Sequence, residues 1–172
     1  YEQLRPMVMR MINGEKSVLW PGRVLRYAQS SGTSDGKSKY IPVSDEGLRR
    51  CHYRGATDVV AHYLSQYPSS KMFSGKGFIL GGSFANELTS LPEDVKVGDL
   101  SAHLIDCINP LAEWVRTPHK SVALMADWHK KLPLLVREAS HKNVTNISGV
   151  PSWFLTVLKE VMKNAGADEI HQ

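Results

Sequence analysis

The chain has 172 residues, 42% of them hydrophobic and 22% charged, with a net charge of +4 and an isoelectric point near 9.1; that is enough apolar material for one sizeable core. The balance suits an anionic ligand such as a nucleotide, but the basic residues are scattered and form no stripe with interleaved aromatics, which argues against nucleic-acid binding. No window approaches the roughly 20 apolar residues of a membrane helix, and the charges within Tyr1–Met11 are unlike a signal-peptide core, so no membrane association and a cytoplasmic location are expected.

From the start, Leu4, Val8, Met11 and Ile12 fall at helical spacing, predicting an amphipathic helix over Tyr1–Ile12 stopped by Asn13-Gly14. Trp20-Pro21-Gly22 reads as a turn, and the residues from Val24 to Gln29 alternate like a strand. A small, polar, glycine-bearing stretch from Ser30 to Lys37 then runs into a second strand, Ser38–Val43, ended by Pro42. Ser44, followed by Asp45 and Glu46, has the form of a helix cap with an acidic first turn, and apolar positions continue to Leu64. Further along, Gly77–Gly82 is a buried-strand candidate and Asn86–Val97 a loop, and Asp99 caps a helix expected over Leu100–Val115. A long helix over Ser121–Ala139 carries Leu124, Trp128, Leu132 and Leu135 on one face, with Pro133 kinking or dividing it. Asn143–Ser148 is rich in β-branched residues, and Gly149-Val150 turns the chain into a last helix that Pro151 and Ser152 open. Strands alternating with helices predict an α/β fold with helices packed on a mixed sheet.

The chemistry concentrates between Ser30 and Lys39. Phosphates are held where backbone N–H groups point inward and hydroxyls and a cation reach the same oxygens, which requires small residues. Gly32 and Gly36 allow close approach, Ser30, Ser31, Thr33 and Ser34 supply hydroxyls, and Lys37 or Lys39 supplies charge. The Gly36-Lys37-Ser38 triplet is not a Walker loop: the required earlier glycine position is Ser31, and a strand follows instead of a helix. On residues alone, an ordinary polar turn is an equal reading.

Ser30–Lys39 followed by Ile41-Pro42 resembles the first nucleotide motif of the adenylate-forming enzymes, which include the acyl-CoA synthetases and firefly luciferase. Gly14-Glu15, Leu19-Trp20-Pro21-Gly22 and Ile147–Trp153 narrow the resemblance to the auxin-responsive promoter family, the acyl acid amido synthetases, across all 172 residues. The resemblance implies the large N-terminal domain of such an enzyme, using ATP and magnesium to adenylate a small-molecule carboxylic acid, in the best-known plant members a hormone such as jasmonate or auxin. The acyl group is then passed to the amine of an amino acid. It implies that Ser30, Ser31, Gly32, Thr33 and Ser34 contact the β and γ phosphates, with Lys37 or Lys39 assisting. It places an acyl-pocket wall at Val150, Pro151 and Trp153, although Trp153 and Phe154 at helical spacing also read as core. Later nucleotide motifs of the family and its C-terminal domain are not found in these residues; with Tyr1 at the start and Gln172 just after a helix, the chain is expected to be the N-terminal piece of a longer enzyme, inactive alone and exposing apolar surface. An acyl-CoA ligase and a nonenzymatic α/β binding module with a Ser/Gly-rich turn are the alternatives.

Other residues carry less. Cys51 and Cys107 read as separate buried thiols, the triplets beginning at Asn143 and Asn146 as chance glycosylation matches, and the scattered His52, His62, His119, His129 and His141 offer no metal site. Asp127-Trp128-His129 reads as helix surface and not as acid–base machinery, and no serine sits in a nucleophile elbow.

Overall fold

Pro6 lacks an N–H and so suits a first helical turn. Helix α1 accordingly begins at Arg5 and runs to Ile12, later than its apolar spacing suggests, with Tyr1–Leu4 forming a turn ahead of it. The computed structural model describes residues 1–30 and 38–166. Two compact units share the chain: unit 1 takes Tyr1–Gln66 and Phe84–Leu104, and unit 2 takes Tyr67–Ser83 and the chain from Ile105 onward.

Unit 1 is built around β1 (Arg26–Ser30), which pairs antiparallel with β2 (Lys39–Pro42) and parallel with β4 (Lys96–Gly98), giving a mixed sheet in the order β2-β1-β4. Alternation along β1 points Tyr27 into a core with Val8, Met11, Ile12, Val24, Tyr40, Val95 and Val97. Strand β4 overlaps the end of the stretch expected to be a loop, Asn86–Val97, at Lys96 and Val97. Three residues among prolines and acids carry no period of their own, and pairing to Arg26, Tyr27 and Ala28 makes them a strand. Ser44 caps the next helix as expected, its Oγ accepting from Gly47 N at 3.0 Å ahead of α2 (Asp45–Gly47). That helix continues through a π-helical turn, Leu48–Tyr53, into α3 (Arg54–Gln66), which buries none of its residues and leaves Val59 71% exposed.

Unit 2 holds an all-parallel sheet, β5-β3-β6, made of β3 (Lys76–Ile79), β5 (Arg116–Thr117) and β6 (Val144–Ser148). Its core joins Phe78 and Leu80 to Leu135 and Val136 of α6 (Trp128–Ser140) and to Phe154 and Val157 of α7 (Pro151–Ala165). The helix expected over Leu100–Val115 is divided. Helix α4 (Leu100–Asp106) stops early, Asn109 caps a 3-10 turn over Pro110–Trp114 by accepting from Leu111 N, and β5 follows. The Ser121–Ala139 helix is divided too, into α5 (Lys120–Ala123) and α6, and the break is set by a cap and not by proline. Asp127 accepts from His129 N and Lys130 N, while α6 runs on through Pro133, held by the buried Leu135 and Val136. Cys51 is exposed on the π-helical turn and Cys107 half-buried, so burial of both thiols is not what the fold gives; neither forms a disulfide.

Candidate functional site

The β1–β2 hairpin brings the two ends of the Ser/Gly-rich stretch together. Ser30 pairs with Lys39, Gln29 with Tyr40, Ala28 with Ile41 and Tyr27 with Pro42. Of the residues assigned to phosphate binding, Ser30 and Lys39 sit opposite one another at the hairpin mouth, whereas Ser31, Gly32, Thr33, Ser34 and Lys37 lie outside the described residues. A strand-to-strand connection is what the sequence predicts there, and it is incompatible with a Walker loop, which must open a helix.

The mouth is polar and braced from several directions. Ser38 Oγ accepts from Gln29 Nε2 at 3.0 Å and donates to Glu87 Oε2 at 3.3 Å, while Arg5 Nη1 donates to the Ser38 carbonyl at 3.4 Å. Tyr40 N donates to the Tyr1 hydroxyl at 2.7 Å, and that hydroxyl donates back to the Tyr40 carbonyl at 3.2 Å. Burial above all, with the Glu87 charge and Tyr1 adding and Arg5 opposing, raises the Tyr40 phenol above its ordinary range. Gln29 Oε1 is buried and has no hydrogen-bond donor among the described residues. At the far end of the hairpin, an open cleft of about 330 Å³ is lined by Trp20, Arg26, Ser44 and Arg49 among others, but its Arg26 is committed to Asp45 at 2.6 Å.

The second segment, β6 into α7, lies in unit 2. Leu80 N donates to the Ser148 carbonyl, Gly149 adopts φ +152°, and α7 starts with Val150 as a cap that offers no side-chain bond. Phe154 is core, 5.7 Å from the Phe78 ring, and Trp153 is half-buried with its ring 6.0 Å from that of Trp128. Val150 is 45% exposed and Pro151 is exposed as well, so the turn presents these two residues outward and directs the aromatics toward the core.

Sequence reasoning missed Lys131, which is only 3% exposed and whose Nζ donates to the carbonyls of Gly81 at 2.8 Å and Ala123 at 2.7 Å. The signal was present in the helical spacing of Trp128, Lys131, Leu132 and Leu135, which puts the lysine on the buried face. Glu87 and Gln29 were missed because nothing local marks a loop carboxylate that meets a hairpin 49 residues away. Asp127 is a helix cap, its carboxyl held below the ordinary range mainly by the Lys130 backbone N–H, as suits a surface residue. Among the described residues there is no group of three or more His, Cys, Asp or Glu side chains placed to hold a metal ion, and no helix long and apolar enough to cross a membrane.

The model of the GH3 family N-terminal domain matches residues 1–170. The chain belongs to the GH3 family. Its fold is shared with two solved structures, a GH3.15 acyl acid amido synthetase (TM-score 0.67, 22% identity) and AtGH3.15 acyl acid amido synthetase in complex with 2,4-DB (TM-score 0.69, 23% identity). Each comparison covers 95% of this chain but only 29% and 28%, respectively, of the other, so the chain spans under a third of their length. No curated protein matches the sequence. The α/β architecture and the family expected from the Ser/Gly-rich motif and its flanks are thus the ones found.

Proposed function

We propose that this GH3 domain supplies the phosphate-holding hairpin of an ATP-dependent acyl acid amido synthetase, acting as the N-terminal part of a longer cytoplasmic enzyme. The observation that carries the reading is the hairpin itself. It closes Ser30 against Lys39 around a loop of serines, threonine and glycine, in a chain whose family includes acyl acid amido synthetases.

The residues present fit a polyphosphate with a hard divalent cation. The Ser30–Lys39 sequence carries hydroxyls at Ser30, Ser31, Thr33 and Ser34, glycines at Gly32 and Gly36, and positive charge at Lys37 and Lys39. ATP with magnesium would supply an electrophilic α phosphorus, so that a carboxylate could be activated and its acyl group passed to an amino acid amine. Ser30, Ser31, Gly32, Thr33 and Ser34 would hold the β and γ phosphates, an electrostatic and positional contribution. Val150, Pro151 and Trp153 would form one wall for the acid, with Val150 and Pro151 the exposed part of that wall.

Pyrophosphate release by the intact enzyme, with ATP, magnesium and a panel of carboxylic acids, tests this against a Ser31→Ala/Thr33→Ala double variant. Acid-dependent release that falls at least about a hundredfold in the variant supports it, a loss on the scale of one positioned donor or more. Product analysis with amino acids or coenzyme A separates amide from thioester formation. No release with any acid or acceptor would leave the loop a turn in a binding module.

A further inference from the structure

The strands of the unit 2 sheet run parallel with β3 at the centre, so the chain leaves β3 for one edge, β5, and later crosses to the other, β6. Ligands of open parallel sheets bind outside the carboxyl ends of the strands, where neighbouring connections part. Those ends are joined to one another here. Leu80, just past the last β3–β6 pair, donates its N–H to the Ser148 carbonyl, and its own carbonyl oxygen lies 2.6 Å from where a Cβ on Gly149 would stand. Gly81 and Val150 are the next residues on either side of that contact. Lys131 Nζ donates to the Gly81 carbonyl at 2.8 Å and to the Ala123 carbonyl at 2.7 Å, and Ala123 ends α5, the helix that follows β5. One turn earlier on α6, the ring of Trp128 lies 6.0 Å from that of Trp153. A single helix therefore braces both the carboxyl end of β3 and the aromatic behind the Val150-Pro151 turn.

We propose that Lys131 is a positioning residue for acid binding: by tying Gly81 to the end of α5 it sets the gap between the end of β3 and the Val150-Pro151 turn, and with it the size of acid that the gap admits. This rests on the reading of Val150, Pro151 and Trp153 as a wall for the acid. Removing an ammonium from water is costly, and methionine would fill much the same space, so what the lysine contributes is placement. Gly81 lies beyond the pairing of the sheet and has no side chain to pack, so its carbonyl is the handle by which its backbone is held. Only 3% exposed, Lys131 acts through that backbone and not by touching the acid. Loss of its bonds lets the end of β3 shift against the turn, which makes selectivity among acids the quantity to measure.

Acid-dependent pyrophosphate release by the intact enzyme is measured for wild type, Lys131→Met and Leu135→Ala, with benzoate, phenylacetate and phenylpropionate as a length series within the panel of acids. The ratio of kcat/KM between two acids does not depend on how much of the enzyme is folded, so it separates selectivity from stability. Lys131→Met should change the ratio between shorter and longer acids by roughly tenfold or more, the discrimination of one methylene in an apolar pocket, or admit an acid that wild type rejects, while KM for ATP stays at its wild-type value. Leu135→Ala opens a cavity in the same core, and should lower the melting temperature but leave the ratio alone. An unchanged ratio in Lys131→Met, a loss uniform across the acids, or a ratio shifted as far by Leu135→Ala makes Lys131 part of the core alone and overturns the proposal, while the acid reading survives. Where Lys131→Met does not fold, hydrogen exchange in wild type decides: the acid turned over fastest should slow exchange at Gly82 and Gly149, and no slowing overturns the proposal. If wild type releases no pyrophosphate with any acid, the acid reading fails and takes the proposal with it.

Discussion

Replacing Gly149 by alanine attacks the turn that leads from β6 into α7. A Cβ at this position would lie 2.6 Å from the Leu80 carbonyl oxygen, 2.9 Å from Leu80 Cβ and 3.1 Å from a Phe154 ring carbon. The nearest of these is backbone of the neighbouring strand, tied to β6 by the bond from Leu80 N to the Ser148 carbonyl, and cannot swing aside as a flexible side chain would. The φ of +152° adds a conformation that residues with a Cβ avoid, at about 1–3 kcal/mol. Overpacking adds about 1–3 kcal/mol more, so a loss of roughly 2–6 kcal/mol is expected, a large part of the usual total. Urea unfolding followed by tryptophan fluorescence reads this well, because Trp128 and Trp153 flank the affected core. A midpoint shift worth less than about 1 kcal/mol would refute the reasoning, since it would mean that the β3–β6 pairing yields at no cost. Gly149→Ser should resemble alanine, whereas alanine at Gly22, which has nothing within 4 Å of an added Cβ, should show only the strain of its positive φ.

Burial pushes the Tyr27 phenol up to about 12, against a small opposing effect of Arg23. The folded state therefore keeps a proton that the unfolded chain releases near pH 10: stability is complete below about pH 10 and falls by about 2–3 kcal/mol as pH rises toward 12. Tyr27→Phe should flatten that alkaline slope in urea midpoints measured across the range, and an unchanged slope would assign it to other groups. Arg116 has a side chain only 2% exposed and donates from Nη2 and Nε to Glu113 Oε1 at 2.5 and 2.8 Å, so Glu113→Ala should strand a buried guanidinium. A cost of about 2–4 kcal/mol is expected, allowing for the partial exposure of Glu113, with partial recovery in Glu113→Ala/Arg116→Met; a loss below about 0.5 kcal/mol in the single variant would show that water reaches Arg116.

What the sequence disclosed depended on how local each signal was. Ser44 with its acidic successors, the strand-turn-strand around Gly32 and Gly36, and Pro151 at the head of α7 each put their structural cause within a few residues, and the helices and strands fell where those signals stood. Strand β4 did not, because Lys96–Gly98 is a strand only by virtue of a partner 70 residues earlier in the chain. Helix breaks near Asp106 and Asp127 were blurred because apolar spacing continued across them while caps decided the ends. The candidate site divides in the same way. Its Ser/Gly-rich loop is written consecutively, but Glu87 and Lys131 acquire their surroundings only through tertiary contacts, and no pattern of neighbours announces a loop glutamate that meets Ser38 or a lysine that holds Gly81 and Ala123.

The two units alternate along the chain, and this constrains the order of events during synthesis. The sheet beneath the hairpin cannot be completed until Lys96–Gly98 has left the ribosome, by which time β3 of the other unit already waits for β5 and, more than 60 residues on, for β6. Neither unit can be cut out as one continuous stretch of sequence. A protease nick between Gln66 and Phe84 would leave each unit with pieces on both sides of the cut, so the fragments would have to be separated by denaturation and not by dilution.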